Sequence, residues 1–302
     1  MKALIIYNGF SGKNKIDNKL EYIISRLKVK YNKVDLYKTK SRYDIKEYVI
    51  SNASNYDTLI IIGGDGSINE AINGLILVKN KPLLAYIPAG TCNDFGNSLG
   101  LKKSLDKIID IILEGETVLV NVNKINTDYF IYGMALGNFT EVSYDTSHNN
   151  KKRWGVIAYF IKAIKYLFID NSFSCELVIN DKVINKKYFC LMVLNSRFLA
   201  SFKLRFKRIL LNDNELRIVV INKKNRLINI IDLILFFLLG EKYNHNIEYY
   251  KANNIKIKSS ELLRFNLDGE NVPRLKEVNV NVIPKVFEVI VDKDIKNKYF
   301  HK

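Results

Sequence analysis

The sequence predicts an α/β protein with two parts: an N-terminal domain built on a parallel sheet with helices on both faces, and a β-rich C-terminal domain. In the first part, short runs of Val, Ile and Leu alternate with segments of helical periodicity, which is typical of such sheets. After about residue 120 strand patterns dominate, some with strict alternation of apolar and polar residues, as at 278–282. The 302 residues are enough for two domains, each with its own core.

The N-terminal domain is predicted from four apolar strand runs, at 3–7, 34–37, 59–62 and 83–87. Helical patterns follow them, and the last helix is expected to end at Gly115, since glycine commonly follows the last residue of a helix. Because the carboxyl ends of parallel strands meet at one edge of a sheet, the loops after these strands are predicted to line one cleft.

The C-terminal domain is predicted to be an antiparallel sandwich or a barrel-like structure. We expect domain boundaries at 1–122 and 123–293, with residues 294–302 folding back onto the first domain. Two helices are expected within the β-rich part, at 153–168 and 227–239. The expected strands are 118–120, 129–134, 175–179, 188–194, 216–221, 255–257, 262–267, 278–282 and 287–291.

The segment 59–70 is the main candidate for a phosphate-binding loop, since a strand run leads into Gly63, Gly64 and Gly66 and then into a helical pattern. Glycines let backbone N–H groups approach a ligand, and a helix N-terminus attracts anions. Asp65 would repel a bare phosphate, so it predicts that Mg²⁺ or a reacting hydroxyl lies between them. The spacing of Ser67 and Glu70 predicts a capping box at the helix start. A hairpin turn is the alternative, but the helical pattern that follows argues against it.

Three further polar loops complete the candidate site, at 8–12, 88–95 and 266–270. Together with the glycine loop they predict phosphoryl transfer in a cleft between the domains, with a carboxylate accepting the proton of the acceptor hydroxyl. Considered singly, Thr91 and Asn93 are also common turn formers, and Asp268 is a common turn residue. Their combination favours contact with a ligand.

Composition limits the partners and the location. The formal net charge of +16 predicts an anionic partner, either nucleotide, nucleic acid or an acidic membrane, or else a solvated surface. No arginine-glycine tract or metal-finger spacing supports nucleic acid, so none is expected. Three cysteines without paired spacing fit a reducing cytoplasm, and no signal peptide is expected. The longest apolar segment, 227–239, is too short to span a bilayer of about 30 Å.

Four motifs, in their order and intervals, resemble those of the soluble bacterial diacylglycerol kinase family, which shares its catalytic domain with sphingosine and ceramide kinases. The motifs are Asn8-x-x-Ser11-Gly12, Gly63-Gly64-Asp65-Gly66-Ser67-x-Asn69-Glu70, Pro88-x-Gly90-Thr91-x-Asn93-Asp94-Phe95 and Asn266-x-Asp268-Gly269-Glu270. The resemblance implies an ATP- and Mg²⁺-dependent lipid kinase of phospholipid metabolism that converts diacylglycerol to phosphatidic acid. It also implies a three-layer α/β nucleotide-binding domain, similar to those of 6-phosphofructokinase and NAD kinase, and a C-terminal β-sandwich domain.

The resemblance implies roles for individual residues. Asp65 and Asp94 would belong to the catalytic network, with Glu270 or Asp268 as the base. A structural Mg²⁺ would lie at Leu210, Asp213 and Glu215. The residues implied to hold ATP are Asn8, Gly9, Phe10, Ser11, Gly12, Thr39, Gly63, Gly64, Asp65, Gly66, Ser67, Ile68, Asn69 and Thr91.

The chain departs from the family pattern mainly on the acceptor side. Gly9 stands where a proline is usual, and Asn214 stands where a turn glycine is usual. The segment 195–202 lacks the expected glycines, and 209–211 lacks the usual Pro and Ala. These departures concern the structural metal and the lipid pocket more than the glycine loop.

The expected partners are a lipid substrate and an anionic membrane surface, which the protein would bind reversibly at the inner face of the cell membrane. A homodimer is one of the states that the sequence leaves open. An NAD kinase is an alternative, against which the segment 91–95 and the form of the turn at 266–270 argue. A lipid-binding or regulatory protein without turnover is another. The apolar run 233–239 has two candidate roles, contact with the membrane interface or burial as a core helix. Because helices that are apolar all round are usually buried, the core helix is the expectation.

Overall fold

A computed structural model describes residues 1–8, 16–41, 43–137, 171–199, 202–206 and 210–300. The predicted helix at 153–168 and the predicted ATP contacts at 9–12 lie outside these residues. Contacts divide the chain into an N-terminal unit, 1–121 with 284–302, and a C-terminal unit, 122–283.

The N-terminal unit is built on a parallel sheet in the order β2-β1-β3-β4. Its strands are β1 (Lys2–Tyr7), β2 (Lys33–Lys38), β3 (Thr58–Gly63) and β4 (Leu83–Pro88). The end of β17 (Leu275–Val291) lies parallel to β4, where Val289 pairs with Leu84. Every residue of β3 is buried, which explains its continuous apolar run, because helices cover both faces of such sheets.

The helices of this unit alternate with the strands as predicted. They are α1 (Leu20–Leu27), α2 (Asp44–Asn52), α3 (Asp65–Leu75), α4 (Asp94–Ser98), α5 (Leu105–Glu114) and α7 (Lys293–Tyr299), with short 3-10 turns at Asp17–Lys19 and Ala53–Asn55. The helix α5 buries one side, at 108, 109, 111 and 112, and ends at Gly115 as predicted.

The predicted capping box at the start of α3 is wrong. The helix begins at Asp65, three residues earlier than a box with Ser67 as its cap requires, and its cap is Gly64, whose backbone is extended. The side chain of Ser67 is therefore inside the first turn, where it is 7% exposed. The cap position is therefore held by the backbone of Gly64, and no side-chain hydroxyl caps the helix.

The C-terminal unit is an antiparallel β structure with one long helix, α6 (Arg226–Leu239), followed by a 3-10 turn at Gly240–Lys242. Its strands are the end of β5 (Glu116–Ile125), β6 (Asp128–Phe130), β7 (Gly133–Gly137), β8 (Phe173–Ile179), β9 (Lys182–Leu194), β10 (Phe198–Leu199), β11 (Phe202–Lys203), β12 (Leu216–Asn222), β13 (Ile247–Ala252), β14 (Asn254–Leu263), β15 (Phe265–Leu267), β16 (Glu270–Asn271) and the start of β17.

The long β9 organises the C-terminal unit. Its first part pairs with β8, and its last part pairs with both β7 and β12. The remaining strands extend these pairings in the order β16-β15-β7 on one path and β8-β14-β17 on the other, while β13 pairs with β12. The strand pattern predicted this β-rich unit, although it missed β13 and the short β10, β11 and β16, and divided β17 into two strands.

Two apolar clusters stabilise the C-terminal unit. The larger cluster lies among the strands and includes Leu191, Val220 and Ile257. The smaller cluster lies between the strands and α6, where Leu233 and Phe236 pack. The expectation that α6 is a core helix is wrong for its other side, because Leu227 and Ile231 remain exposed. Among the helices that the structure describes, none has the length and hydropathy needed to cross a membrane.

Candidate functional site

The loops after β3 and β4 touch through their glycines. A Cβ atom on Gly90 would lie 2.5 Å from the Cα of Gly64, which is closer than two non-bonded carbon atoms can approach. A Cβ on Gly63 would likewise lie 2.5 Å from the side chain of Ser67. The hydroxyl of Tyr86 donates a hydrogen bond of 2.9 Å to the carbonyl of Gly63. The glycine spacing is therefore a packing requirement of the loop itself.

Asp65 is the first residue of α3, so its carboxylate lies at the N-terminus of that helix. The backbone N–H of Phe95 donates to its Oδ1 at 3.4 Å. Burial raises the pKa of Asp65, while the backbone N–H groups of Phe95, Asn93 and Asp94 act in the opposite direction. The desolvated carboxylate of one loop is thus linked to the backbone of the other loop.

Asn93 closes the second loop. Its backbone is left-handed, with φ 54°, and its side chain both accepts from the N–H of Gly90 and donates to the Gly90 carbonyl, each at 2.9 Å. The sequence favoured ligand contact for Asn93 over a turn-forming role, whereas these bonds show that its side chain forms the turn. The turn is followed directly by Asp94, which is the first residue of α4 and is buried, with 3% of its surface exposed. Thr91 is exposed on the same loop.

The other predicted ATP contacts of this unit begin at the same edge of the sheet. Asn8 follows β1, and its N–H donates to the carbonyl of Ile62 at 3.3 Å. Thr39 follows β2 and is buried, with its N–H 3.0 Å from the carbonyl of Tyr7. Because the ends of β1, β2, β3 and β4 are in register, the structure brings Asn8, Thr39, the segment 63–69 and Thr91 to one edge.

Asp268 is a buried anchor in the C-terminal unit. Its carboxylate accepts backbone N–H groups from Ile131 at 2.6 Å and from Tyr132 and Gly133 at 2.9 Å each. The hydroxyl of Tyr132 in turn donates a hydrogen bond of 2.7 Å to the backbone carbonyl of Asp268. These bonds hold the connection between β6 and β7, which explains why the single strand predicted at 129–134 is divided in two.

Glu270 begins β16, two residues beyond Asp268, and is half-buried. The tight turn between them has left-handed backbone at Asp268, φ 50°, and at Gly269, φ 89°. The side chain of Asn266 accepts from the N–H of Gly269 at 3.0 Å. The sequence could not distinguish these two carboxylates. In the structure, the Asp268 carboxylate accepts backbone N–H groups of its own unit, whereas Glu270 lies beyond the turn.

The resemblance implies that Leu210, Asp213 and Glu215 hold a structural metal, but in the structure they accept hydrogen bonds or ion pairs from other groups of the chain. Arg217 Nη2 lies 3.1 Å from Asp213 Oδ2, and Arg217 Nη1 lies 3.0 Å from Glu215 Oε2. The carbonyl of Leu210 accepts from the N–H of Asp213 at 3.1 Å. Within the described residues no group of three His, Cys, Asp or Glu side chains is arranged to hold a metal. In this arrangement the two carboxylates contact a guanidinium, and they do not fit a cation site.

Sequence reasoning missed Tyr86 and Arg217 as parts of these sites. Burial, followed by the charges of Asp65 and Asp94, raises the pKa of Tyr86 well above its ordinary value, so it stays a neutral donor to Gly63. A tyrosine two residues before Pro88 in an otherwise apolar strand was the available signal for Tyr86. For Arg217, the signal was a lone arginine in the apolar run 216–221.

The chain is similar to known proteins over nearly its whole length. Residues 2–125 match the family described as the diacylglycerol kinase catalytic domain. A diacylglycerol kinase of Staphylococcus saprophyticus is 32% identical over 299 residues, which cover 98% of this chain and 97% of the relative. One of Staphylococcus carnosus is 31% identical over 298 residues, with the same coverage. The crystal structure of a putative diacylglycerol kinase from Bacillus anthracis has a TM-score of 0.82 at 25% identity, covering 97% of this chain and 96% of that one.

Proposed function

Because this chain belongs to the diacylglycerol kinase family, and is therefore a lipid kinase that uses ATP, we propose that it phosphorylates the hydroxyl of diacylglycerol to form phosphatidic acid. The observation that carries the proposal is the contact of the two glycine loops at the start of α3, together with the hydrogen bond from the Phe95 N–H to the Asp65 carboxylate. We assign ATP binding to residues 1–122 and acceptor binding to 123–293.

The phosphates of ATP would lie against the segment 63–69. The first turn of an α-helix leaves backbone N–H groups without helical partners, and its dipole favours anions. The close approach of Gly64 and Gly90 keeps side chains away from this backbone. Asn8, Thr39 and Thr91 belong to the neighbouring loops and would contact the rest of the nucleotide, together with residues 9–12.

Asp65 and Asp94 supply carboxylate oxygens, the donors that Mg²⁺ takes from proteins beside the phosphates of a nucleotide. When bound with ATP, the cation would neutralise charge on the phosphates. The backbone N–H of Phe95 donates to the Asp65 carboxylate, and this bond fixes the direction of the carboxylate. Its raised pKa follows from burial, and it must be ionised to act.

We propose Glu270, and not Asp268, as the base that accepts the proton of the lipid hydroxyl. The Asp268 carboxylate already accepts three backbone N–H bonds, and such bonds stabilise the ionised form and make it a poor proton acceptor. Asp268 would then be a positioning residue that holds the turn from which Glu270 extends. The cleft between the domains stays a prediction.

The substrate lies in a bilayer, so we propose that the protein binds reversibly to anionic membranes at the inner face of the cell membrane. The net charge of +16 supports this, since basic residues contribute on the order of 1 kcal/mol each near an anionic surface.

One assay tests the activity. The purified protein is incubated with labelled ATP, Mg²⁺ and either mixed micelles of diacylglycerol or NAD, with Asp65→Asn as the inactive control. Labelled phosphatidic acid is the expected product. Labelled NADP would instead identify an NAD kinase, and the absence of both products would favour a lipid-binding protein without turnover.

A further inference from the structure

The inner side of α6 is held by buried polar groups as well as by apolar packing. Asp232, 1% exposed, accepts from the hydroxyl of Tyr243 at 2.6 Å and from Asn246 Nδ2 at 3.0 Å. Asn229, fully buried, accepts from the N–H of Lys224 at 2.9 Å and donates to the carbonyl of Asn222 at 2.7 Å. Because these bonds specify which side of the helix faces the strands, α6 cannot rotate without breaking them.

The outer side of α6 is a continuous apolar stripe. Its exposed side chains recur at the spacing of one helical face, which we call the α6 apolar face: Leu227 at 65%, Ile231 at 53%, Ile234 at 47% and Leu238 at 55% exposure. The single acidic residue of the helix, Asp232, is buried on the other side. Contiguous apolar surface of this kind marks a site of interaction.

Basic residues flank the α6 apolar face at both ends. Lys224 and Arg226 are exposed at its start, and Lys242 is exposed just beyond its end. An apolar helical face with basic flanks is typical of helices that lie in the interface of an anionic bilayer. A second copy of the chain fits less well, because two such helices packed antiparallel about a two-fold axis would bring Arg226 close to Lys242 of the other copy.

We propose that the α6 apolar face binds the surface of an anionic bilayer and thereby holds the enzyme beside its lipid substrate. This inference rests on the proposed function for its choice of lipid. The apolar side chains would enter the boundary between headgroups and acyl chains, while the flanking lysine and arginine side chains would contact anionic headgroups.

The test compares Ile231→Glu with Val183→Glu. Both replace an exposed β-branched residue of the C-terminal unit by glutamate, but Val183, 58% exposed, lies on β9 away from the stripe. Glutamate is a good helix former, so Ile231→Glu should melt like the wild type. The measurements are cosedimentation with vesicles of phosphatidylcholine and phosphatidylglycerol, and kinase activity on those vesicles and on dispersed short-chain diacylglycerol.

We expect wild type and Val183→Glu to cosediment, and Ile231→Glu to lose binding and vesicle activity on the order of tenfold while retaining activity on the short-chain substrate. Equal cosedimentation of all three proteins would overturn the inference. So would light scattering that shows a wild-type dimer and an Ile231→Glu monomer, because the face would then bind a second copy. If none of the three proteins phosphorylates diacylglycerol in vesicles or in the short-chain form, the proposed function fails. Cosedimentation would still show whether the α6 apolar face binds the membrane.

Arg217 carries a second inference from an independent observation. Its side chain, on β12, is 6% exposed and contacts Asp213, 15% exposed, and Glu215, 46% exposed. The planar guanidinium presents donors in a fixed fork that matches carboxylates. We infer that this guanidinium takes the place of a structural metal, because a divalent cation bound by these two carboxylates would have to displace it.

Thermal unfolding without nucleotide tests the replacement. The wild type is expected to melt at the same temperature in EDTA and in Mg²⁺. Arg217→Met should melt lower, because it leaves two carboxylates without their cation, and Mg²⁺ or Ca²⁺ should raise its melting temperature. Arg274→Met, at an exposed position of the same unit, is the matched control and should melt as the wild type does.

A wild-type protein that melts lower in EDTA, with the response absent in Asp213→Asn, would overturn the inference, because a resident cation would then occupy the turn. An Arg217→Met protein with the wild-type melting temperature would also contradict it. If Arg217→Met does not fold, the comparison of wild type and Asp213→Asn in EDTA and Mg²⁺ remains decisive.

Discussion

Gly64 and Gly90 approach so closely that a Cβ atom on Gly90 would lie 2.5 Å from the Gly64 Cα. The contact joins the loop that follows β3 to the loop that follows β4, and both loops carry a carboxylate that we assign to catalysis. Any side chain at Gly90 must push the loops apart.

Gly90→Ala is therefore expected to destabilise the protein by about 1–3 kcal/mol and to weaken ATP binding. The measurements are urea unfolding and the KM for ATP. Gly133→Ala is the control, since its added Cβ would meet atoms no closer than 3.6 Å. A Gly90→Ala protein with normal stability and normal KM would show that the loops can separate without cost.

Asp65→Asn is expected to lower kcat about a hundredfold or more while the protein remains folded, because the change is nearly isosteric but removes the charge. Asp128→Asn, on an exposed position of β6, should leave kcat unchanged. Steady-state kinetics and a melting curve are the two measurements. Near-normal turnover in a folded Asp65→Asn protein would refute the assignment.

The raised pKa of Asp65 predicts an acid limb in the pH–rate profile above the ordinary range of an aspartate, about 4. Burial disfavours the ionised form, so the folded protein takes up the proton at a higher pH than the unfolded chain does. Ionisation of Asp65 therefore lowers the free energy of unfolding as the pH rises from the pKa of the unfolded chain through the raised pKa of the folded protein. Asp65→Asn should thus be at least as stable as the wild type at neutral pH, with the difference vanishing in acid.

Asp268→Asn and Glu270→Gln should separate stability from turnover. An asparagine side chain has one acceptor oxygen for three N–H donors, so Asp268→Asn should destabilise the protein by about 2–3 kcal/mol. Glu270→Gln should lose turnover with little change in stability. Urea unfolding and kcat measure the two effects, and the reverse pattern would identify Asp268 as the base.

Wild-type binding to vesicles should depend on charge. Because screening at physiological salt acts over about 8 Å, cosedimentation with anionic vesicles is expected to weaken as salt is raised and to be absent with neutral vesicles. Cosedimentation that is equal for both vesicle types and insensitive to salt would contradict the proposal that anionic membranes are the partner.

The local pattern predicted most of the N-terminal unit. Apolar runs and helical periods depend on neighbours in the sequence, so β1, β3, β4 and α5 appear close to where they were expected. Local patterns were less successful where a contact between residues far apart in the sequence determines the secondary structure. The strand predicted at 129–134 is interrupted because a carboxylate 136 residues away in the sequence, on Asp268, accepts the N–H of Tyr132.

The sequence by itself determined the order of strands and loops, and with it the glycine loop and the positions of Asp65 and Asp94. Only the tertiary structure decided that Asp268 anchors a turn, that Arg217 holds two carboxylates and that α6 exposes its apolar face. The reason is physical. Periodicity reports which residues share a face, whereas the charge, burial and hydrogen bonds of a side chain depend on partners that the folded chain brings from far along the sequence.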